Sequence, residues 1–194
     1  MIIDISQEIL SCKVYPGDSA PKLIKQMDMG KGDLYNLSAF EMGCHNGTHI
    51  DAPAHFFVNG TTVDGLLLES CVDKCYVAWH HGNITAADAT QIMGKRKSAN
   101  ADRRILIGGD CVVTAEGAQV FADNGILLIG NESQSVGPEN APMAVHKILL
   151  GQNIVLLEGI VLNNVAEGAY FLSAAPLNIA GAEGCPCRAY LIKE

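Results

Sequence analysis

The sequence predicts an α/β fold built on a mixed or mostly antiparallel sheet with few helices. Residues 103–129 show the succession strand, helix, strand that is typical of a parallel crossover unit. Residues 153–162 form a nearly continuous apolar run, which favours a strand covered on both faces. A length of 194 residues is enough to bury a core, so we expect one domain over residues 1–194.

Local patterns place the other strands in chain order. Alternating or apolar runs predict strands at residues 2–5, 21–29, 34–42, 74–80, 104–107, 126–129, 169–175 and 188–192.

Helices are predicted at residues 86–93, 115–123 and 141–150. Thr85 and Thr114 precede the first two helices and have the side chains of N-cap residues. We expect Gly94 to end the first helix, followed by a polar loop up to Asp102. Asn124-Gly125 predicts a left-handed end to the second helix.

The composition argues against several classes of protein. A chain that is 48% hydrophobic and 18% charged, without a long biased tract, is typical of a globular domain. It contains no apolar run of about eighteen residues, so we expect no membrane partner. The net charge is −8 and Lys95-Arg96-Lys97 is the single compact basic cluster, which argues against nucleic acid as a partner.

The cysteines and the N-terminus predict a cytoplasmic protein. The seven cysteines are scattered, odd in number and without a C-x-x-C pair. Met1-Ile2-Ile3-Asp4-Ile5 has an early acid and no basic segment, so it favours a strand over a signal peptide. Reduced thiols in a cytoplasm are the simpler interpretation.

One stretch, residues 45–56, concentrates the polar groups that carry chemistry. His45, His49, Asp51 and His55 all fall on odd positions, so an extended chain would present them on one face. Pro53 and a glycine at position 47 oppose a helix. Imidazoles and a carboxylate on one face are usual ligands for Zn²⁺, Mn²⁺ and Fe²⁺. The alternative is a polar loop in which histidines happen to cluster.

A second informative position is Glu158, in the middle of the apolar run. A buried carboxylate costs several kcal/mol unless it is paired or bound to a metal. Gly159 beside it would let another group approach closely. The residues alone leave open a metal ligand or an ion pair with a distant Arg or Lys. His146, on the third predicted helix, could equally be a surface residue.

The pattern H-x-G-T-H-x-D-A-P-x-H-F at residues 45–56 resembles the signature of the cyclase family of metal-dependent hydrolases. That family includes bacterial kynurenine formamidase and isatin hydrolase. Tyr15-Pro16-Gly17-Asp18 and the closing segments at 172–177 and 184–189 also resemble it. The resemblance implies a swivelling β/β/α domain that assembles as a homodimer or homotetramer.

The resemblance also implies a site and a reaction. It implies two divalent ions per chain, Zn²⁺ with Mn²⁺ as the alternative, with Asp51 bridging them. The implied ligands are His45, His49, Asp51, His146 and Glu158. His55 is needed by neither ion and is assigned to proton transfer.

The expected substrate is a small formamide or cyclic amide, and N-formylkynurenine, cleaved to kynurenine and formate, is the leading candidate. The alternatives are a lactam or lactone hydrolase, such as isatin hydrolase, and a metal-binding protein without catalysis. Family members commonly have an aspartate in the loop at 131–138, where this chain has Asn131 and Glu132. That difference leaves the substrate open, as does Arg188, whose carboxylate partner could be internal or on the substrate.

Overall fold

The computed structural model describes residues 1–101 and 103–193, which form a large mixed sheet and four α-helices. The strands are β1 (Ile2–Asp4), β2 (Lys22–Met27), β3 (Leu37–Glu41), β4 (His49–Asp51), β5 (Val72–Trp79), β6 (Gly82–Ile84), β7 (Arg104–Gly108), β8 (Cys111–Val113), β9 (Leu128–Asn131), β10 (Val155–Glu158), β11 (Gly168–Ser173), β12 (Gly184–Pro186) and β13 (Tyr190–Ile192). The helices are α1 (Leu68–Cys71), α2 (Ala86–Ser98), α3 (Ala115–Asp123) and α4 (Met143–Leu150).

The main sheet has the strand order β1-β13-β11-β5-β7-β9-β10-β4-β12 over the described residues. Its centre, β5-β7-β9-β10, is parallel, and the strands on both sides pair antiparallel. The parallel pairing of β7 with β9 across α3 confirms the crossover unit that residues 103–129 predicted. The α/β class with a mixed sheet and few helices is therefore confirmed.

The central strands are buried on both faces, as their apolar sequences require. Ile105 and Ile107 of β7 belong to a core cluster that contains apolar residues of α2, α3 and α4. Leu106, between them, points to the opposite face. There it packs in a second cluster with Leu172 of β11 and Leu191 of β13. The sheet thus curls over one of its own faces and carries helices on the other, which produces the layer order β/β/α.

The helix boundaries confirm the predicted caps and correct one end. Thr85 and Asp88 form a capping box at α2, and the Thr114 hydroxyl accepts a hydrogen bond from the Gly117 backbone at α3. Gly94 does not end α2, which continues to Ser98. Gly94 lies on the exposed face, where its cost of about 1 kcal/mol is too small to break a helix anchored by buried neighbours. The predicted polar loop is therefore wrong as far as Ser98, and Asp102 lies outside the described residues.

The strands differ more from the sequence prediction than the helices do. The strand predicted at 153–162 is regular only over Val155–Glu158, and the one predicted at 126–129 lies at Leu128–Asn131. β6, β8 and β12 were not predicted; each has three residues and is defined by its pairing with a strand distant in the chain. β2 and β3 form a separate two-stranded sheet on which Leu23, Ile24 and Phe40 are exposed.

The described residues contain no helix that is long and apolar enough to cross a membrane.

The end of β10 passes very close to two other segments at Gly159. Gly159 has φ +66°, and a Cβ atom there would lie 2.2 Å from Gln134 Nε2 and 2.3 Å from the Gly47 carbonyl oxygen. The chain therefore needs glycine here both for its left-handed backbone and for the close approach, as its position beside Glu158 predicted.

Gly159→Ala should destabilise the protein more than Gly125→Ala, which is a matched control. Gly125 also has φ +66°, but a Cβ there would meet nothing within 4 Å. The control should lose about 1–2 kcal/mol of unfolding free energy from backbone strain alone. Gly159→Ala should lose about 1–3 kcal/mol more, because Gln134 and Gly47 must move. Urea unfolding measures both losses, and equal losses would contradict the close approach.

Candidate metal centre

The strand β4 places two of the predicted site residues on one face of the sheet. His49 and Asp51 are two residues apart in β4, so their side chains point the same way. β4 lies between β10 and β12, and Glu158 of β10 is paired directly with His49. Residues opposite each other in an antiparallel pair share a face, so Glu158 joins the same cluster.

His45 and His55 reach the cluster by another route than the one predicted. Residues 44–48 form a turn and a bend, with φ +64° at Gly47, and His55 ends a 3-10 turn that begins at Pro53. The extended conformation that would place all four side chains on one face therefore holds only for β4, and strand pairing stops before Pro53. The turns nonetheless fold both histidines back over β4: the His45 and His55 ring centroids are 4.1 Å apart.

His146 enters from α4. Its Nδ1 lies 2.9 Å from the Pro142 carbonyl oxygen, one turn earlier in the chain. Its Nε2 lies 3.2 Å from Glu158 Oε1 and 3.7 Å from Asp51 Oδ2. His146 is buried, so the alternative of a surface histidine is wrong.

The hydrogen bonds of His49 and His146 determine which ring nitrogen faces the site. His49 Nδ1 lies 3.0 Å from the Gly47 carbonyl oxygen, and a carbonyl can only accept, as it does from Nδ1 of His146. Each Nδ1 therefore carries the hydrogen, and Nε2 of the neutral ring directs its lone pair into the cluster. This backbone contact is the usual one that orients a metal-binding histidine.

The atoms that meet in the cluster fit a cation. His49 Nε2 lies 3.4 Å from Asp51 Oδ1 and 3.4 Å from Glu158 Oε2. A lone pair facing two carboxylate oxygens is repulsive unless a proton or a metal ion lies between them. His49 Nε2 and Asp51 Oδ2 are buried and have no hydrogen-bond partner. Orphaned buried atoms of this kind are expected where a metal ion supplies the missing contact.

The electrostatics of the cluster favour positive charge. Burial would raise the pKa of Asp51, but the His45 hydrogen bond and the neighbouring imidazoles hold it well below its ordinary value. Burial would lower the pKa of His45, but the hydrogen bond at 2.8 Å and the charge of Asp51 raise it to about 9. Burial would also lower the pKa values of His49 and His146, but the nearby Glu158 carboxylate raises both. Protons and metal ions therefore compete for the same nitrogen atoms.

The donor atoms form two overlapping groups that could each hold a metal ion. One group is His45, His49 and Asp51, and the other is Asp51, His146 and Glu158, with the donor atoms of each within 4.8 Å of one another. Asp51 belongs to both groups. His55 belongs to neither, although its Nε2 lies 3.9 Å from Asp51 Oδ2. All six residues predicted from the sequence thus meet at one place.

A cavity of about 290 Å³ opens onto the cluster, and its wall contains side chains outside the predicted ligand set. The wall includes Tyr15, Asp18, Phe56, Gln134, Ser135 and Pro142. Tyr15 and Asp18 come from the Y-P-G-D turn, and Gln134 and Ser135 come from the loop after β9. The turn resembles the family in sequence, and the loop directly follows a strand, so both segments could be linked to the site. Neither feature shows which of their side chains face the cavity. Glu183 Oε1 lies 3.4 Å from His45 Nε2, and no pattern in the sequence indicated that Glu183 is near the site.

The two roles left open at Glu132 and Arg188 are structural. The Glu132 carboxylate accepts hydrogen bonds from the backbone of Gly109 and Leu162, each at 2.8 Å. Arg188 Nε donates to Asp4 Oδ2 at 2.9 Å on the surface, so its carboxylate partner is internal.

The cysteines are all free thiols. Burial raises the pKa of Cys71 to about 11 and that of Cys75 and Cys111 to about 12, so these groups are unreactive. The cytoplasmic location stays a prediction.

The chain also matches known proteins. The family model described as "Putative cyclase" matches residues 3–138. A kynurenine formamidase of Erythrobacter litoralis is 32% identical over 206 residues, covering 98% of this chain and 93% of the relative. Cyclase-like protein 1 of Oryza sativa subsp. japonica is 35% identical over 199 residues, covering 92% of this chain and 73% of the relative.

Solved structures share the fold. A protein described as a potential metal-dependent hydrolase with cyclase activity has a TM-score of 0.78 at 26% identity, covering 100% of this chain and 98% of that chain. Isatin hydrolase A from Labrenzia aggregata has a TM-score of 0.82, covering 100% and 94%, but its 18% identity shows the fold alone. The matches show that this chain belongs to the cyclase family and is a metal-dependent hydrolase, as the resemblance of residues 45–56 predicted.

Proposed function

We propose that this protein hydrolyses the C–N bond of a small aryl formamide, with N-formylkynurenine as the leading substrate. The observation that carries the proposal is the shared position of Asp51 between two potential metal groups, with a spare imidazole beside it. The relative named kynurenine formamidase covers nearly the whole chain and supports the choice of substrate. The cavity of about 290 Å³ is at the lower end of the size range of small-molecule sites.

The proposed metal ligands are His45, His49, Asp51, His146 and Glu158. Nitrogen and oxygen donors without a thiolate suit both Zn²⁺ and Mn²⁺, and we propose Zn²⁺ with Mn²⁺ as the alternative. Divalent ions bound there would polarise the substrate carbonyl and make water a stronger acid.

The protein's own groups hold this arrangement and move protons. The Val136 backbone N–H donates to Glu158 Oε1 at 2.7 Å, which fixes the carboxylate. Phe56 lies against the rings of His55 and His146, with centroid distances of 4.6 Å and 4.8 Å, and forms an apolar part of the cavity wall.

His55 is the proposed proton carrier. Burial lowers the pKa of His55 below its ordinary value, so the ring is neutral at neutral pH and can accept a proton. It would take a proton from the attacking water and deliver it to the leaving nitrogen.

Asp51→Ala should abolish the binding of both proposed ions, whereas His146→Ala should abolish only one. The difference follows because Asp51 belongs to both groups and His146 to one. Elemental analysis of protein purified without chelators measures the stoichiometry. His81→Ala is the control, because His81 is exposed and outside both groups. Full metal content in Asp51→Ala would disprove a bridging aspartate.

The metal-loaded protein should release formate from N-formylkynurenine, and this activity should disappear on chelation and return on adding Zn²⁺ or Mn²⁺. Isatin assayed in parallel separates the formamidase from the lactam hydrolase alternative by the ratio of kcat/KM values. A higher kcat/KM for isatin would replace the proposed substrate, and no turnover of either compound would refute the proposal.

His55→Ala should retain its metal but lose about 10²–10⁴-fold in kcat, the usual contribution of a positioned acid–base group. Metal retention is expected because His55 belongs to neither donor group. His80→Ala is the matched control, since His80 lies between β5 and β6 and its ring contacts the Asn83 backbone carbonyl oxygen, away from both donor groups. Full activity in His55→Ala, or loss of metal from it, would remove the assigned role.

A further inference from the structure

The cavity wall beyond the metal-binding cluster offers hydrogen-bond acceptors at Tyr15 and Gln134. Tyr15 Oη donates to the Glu139 carbonyl oxygen at 2.6 Å. Gln134 Nε2 donates to the Gly47 carbonyl oxygen at 3.3 Å, which orients the amide so that Oε1 remains. Gln134 Oε1 is buried without a hydrogen-bond partner. The phenol oxygen and the amide oxygen can therefore still accept hydrogen bonds, while the phenol O–H and one amide N–H are committed.

Asp18 adds a negative charge to the same wall. Its backbone N–H bonds the Tyr15 carbonyl oxygen at 3.0 Å, which holds the residue in the turn beside the cavity. Its carboxylate is exposed, and no ion pair of Asp18 occurs among the described residues. Asp18 is also outside both metal groups, so bound divalent ions do not consume its charge as they would the charges of Asp51 and Glu158.

No lysine or arginine lines the cavity in the part of the chain that the structure describes. A substrate carboxylate would therefore find no cationic side chain there, and it would meet the charge of Asp18. A protonated amine would find a carboxylate and neutral acceptors instead. Opposite charges at short range attract and like charges repel, so the wall discriminates between the two.

We propose that Asp18 is a specificity-determining residue that recognises an ammonium group on the substrate. The substrate class is an aryl formamide whose side chain ends in a protonated amine. This inference rests on the proposed function and deepens it. N-formylkynurenine belongs to the class through its ammonium group, and its carboxylate would face solvent. Isatin has no ammonium group and would not use Asp18.

The test compares three formamides on the metal-loaded enzyme. The first is the decarboxylated analogue of N-formylkynurenine, which is a cation; the second is N-formylkynurenine, a zwitterion; the third is formanilide, which is neutral. The wild type should prefer the cation to the neutral compound in kcat/KM. Asp18→Asn should lower that preference about 2- to 5-fold, through a higher KM for the cation, the effect expected of an exposed charge pair.

Asp110→Asn is the matched control. Asp110 is an exposed aspartate that lines a separate open groove, so the variant removes the same charge elsewhere. Its preference among the three formamides should equal that of the wild type. An equal change in both variants would attribute the effect to net charge and overturn the inference. Wild-type and Asp18→Asn enzymes with the same preference would overturn it as well.

A binding measurement separates this inference from the proposed function. Kynuramine, the amine product of the cationic formamide, should bind metal-free protein in calorimetry, and Asp18→Asn should weaken that binding about 2- to 5-fold. Binding that depends on Asp18 without hydrolysis of any formamide would support the amine subsite and refute the formamidase. Hydrolysis of formamides with kynuramine binding that ignores Asp18 would refute the subsite and leave the formamidase standing.

Discussion

Two carboxylates that face each other in the protein interior are the constraint on which this structure depends. Asp51 and Glu158 are almost fully buried, and each charge alone would cost several kcal/mol. Three imidazoles lie around them with Nε2 or Nδ1 within 2.8–3.7 Å of a carboxylate oxygen. The backbone fixes two of these rings by accepting their Nδ1 hydrogens, so the arrangement is rigid before any ion binds. A site of this kind gains stability and affinity from a cation, because only positive charge makes the burial of both carboxylates favourable.

The sheet topology brings the two carboxylates together. The parallel centre of the sheet ends at β10, and an antiparallel strand, β4, then brings His49 and Asp51 alongside Glu158. β12 covers the other edge of β4, so the strand that carries the ligands is paired on both sides. The close approach at Gly159 lets the loop after β9 reach the same place and add Gln134. The apolar clusters on both faces of the sheet hold these segments at fixed positions, and the polar site lies where the strands end.

The different roles of the site residues follow from which imidazoles share a donor group with the two carboxylates. Five residues have donor atoms committed to the two overlapping groups, and His55 remains with a lowered pKa beside them. A neutral imidazole close to a cation-binding cluster suits proton transfer better than binding, because the cluster already has enough donors. The outer wall of the cavity holds hydrogen-bond acceptors and the carboxylate of Asp18. The cluster at the inner end therefore suits metal ions, whereas the outer end suits a hydrogen-bond donor.

The sequence by itself determined the elements whose cause is local. The caps at Thr85 and Thr114, the crossover unit at residues 103–129, and the site residues His49, Asp51 and Glu158 follow from patterns that a strand or a helix imposes over a few residues. The alternation of residues 45–55 also singled out His45 and His55, the family resemblance pointed to His146, and the comparisons confirmed that family. Tertiary structure alone decided the short strands β6, β8 and β12, the turn that returns His45, the length of α2 and the side chains that line the cavity. These features depend on contacts between residues far apart in the chain, and such contacts leave no periodic pattern in the sequence of either partner.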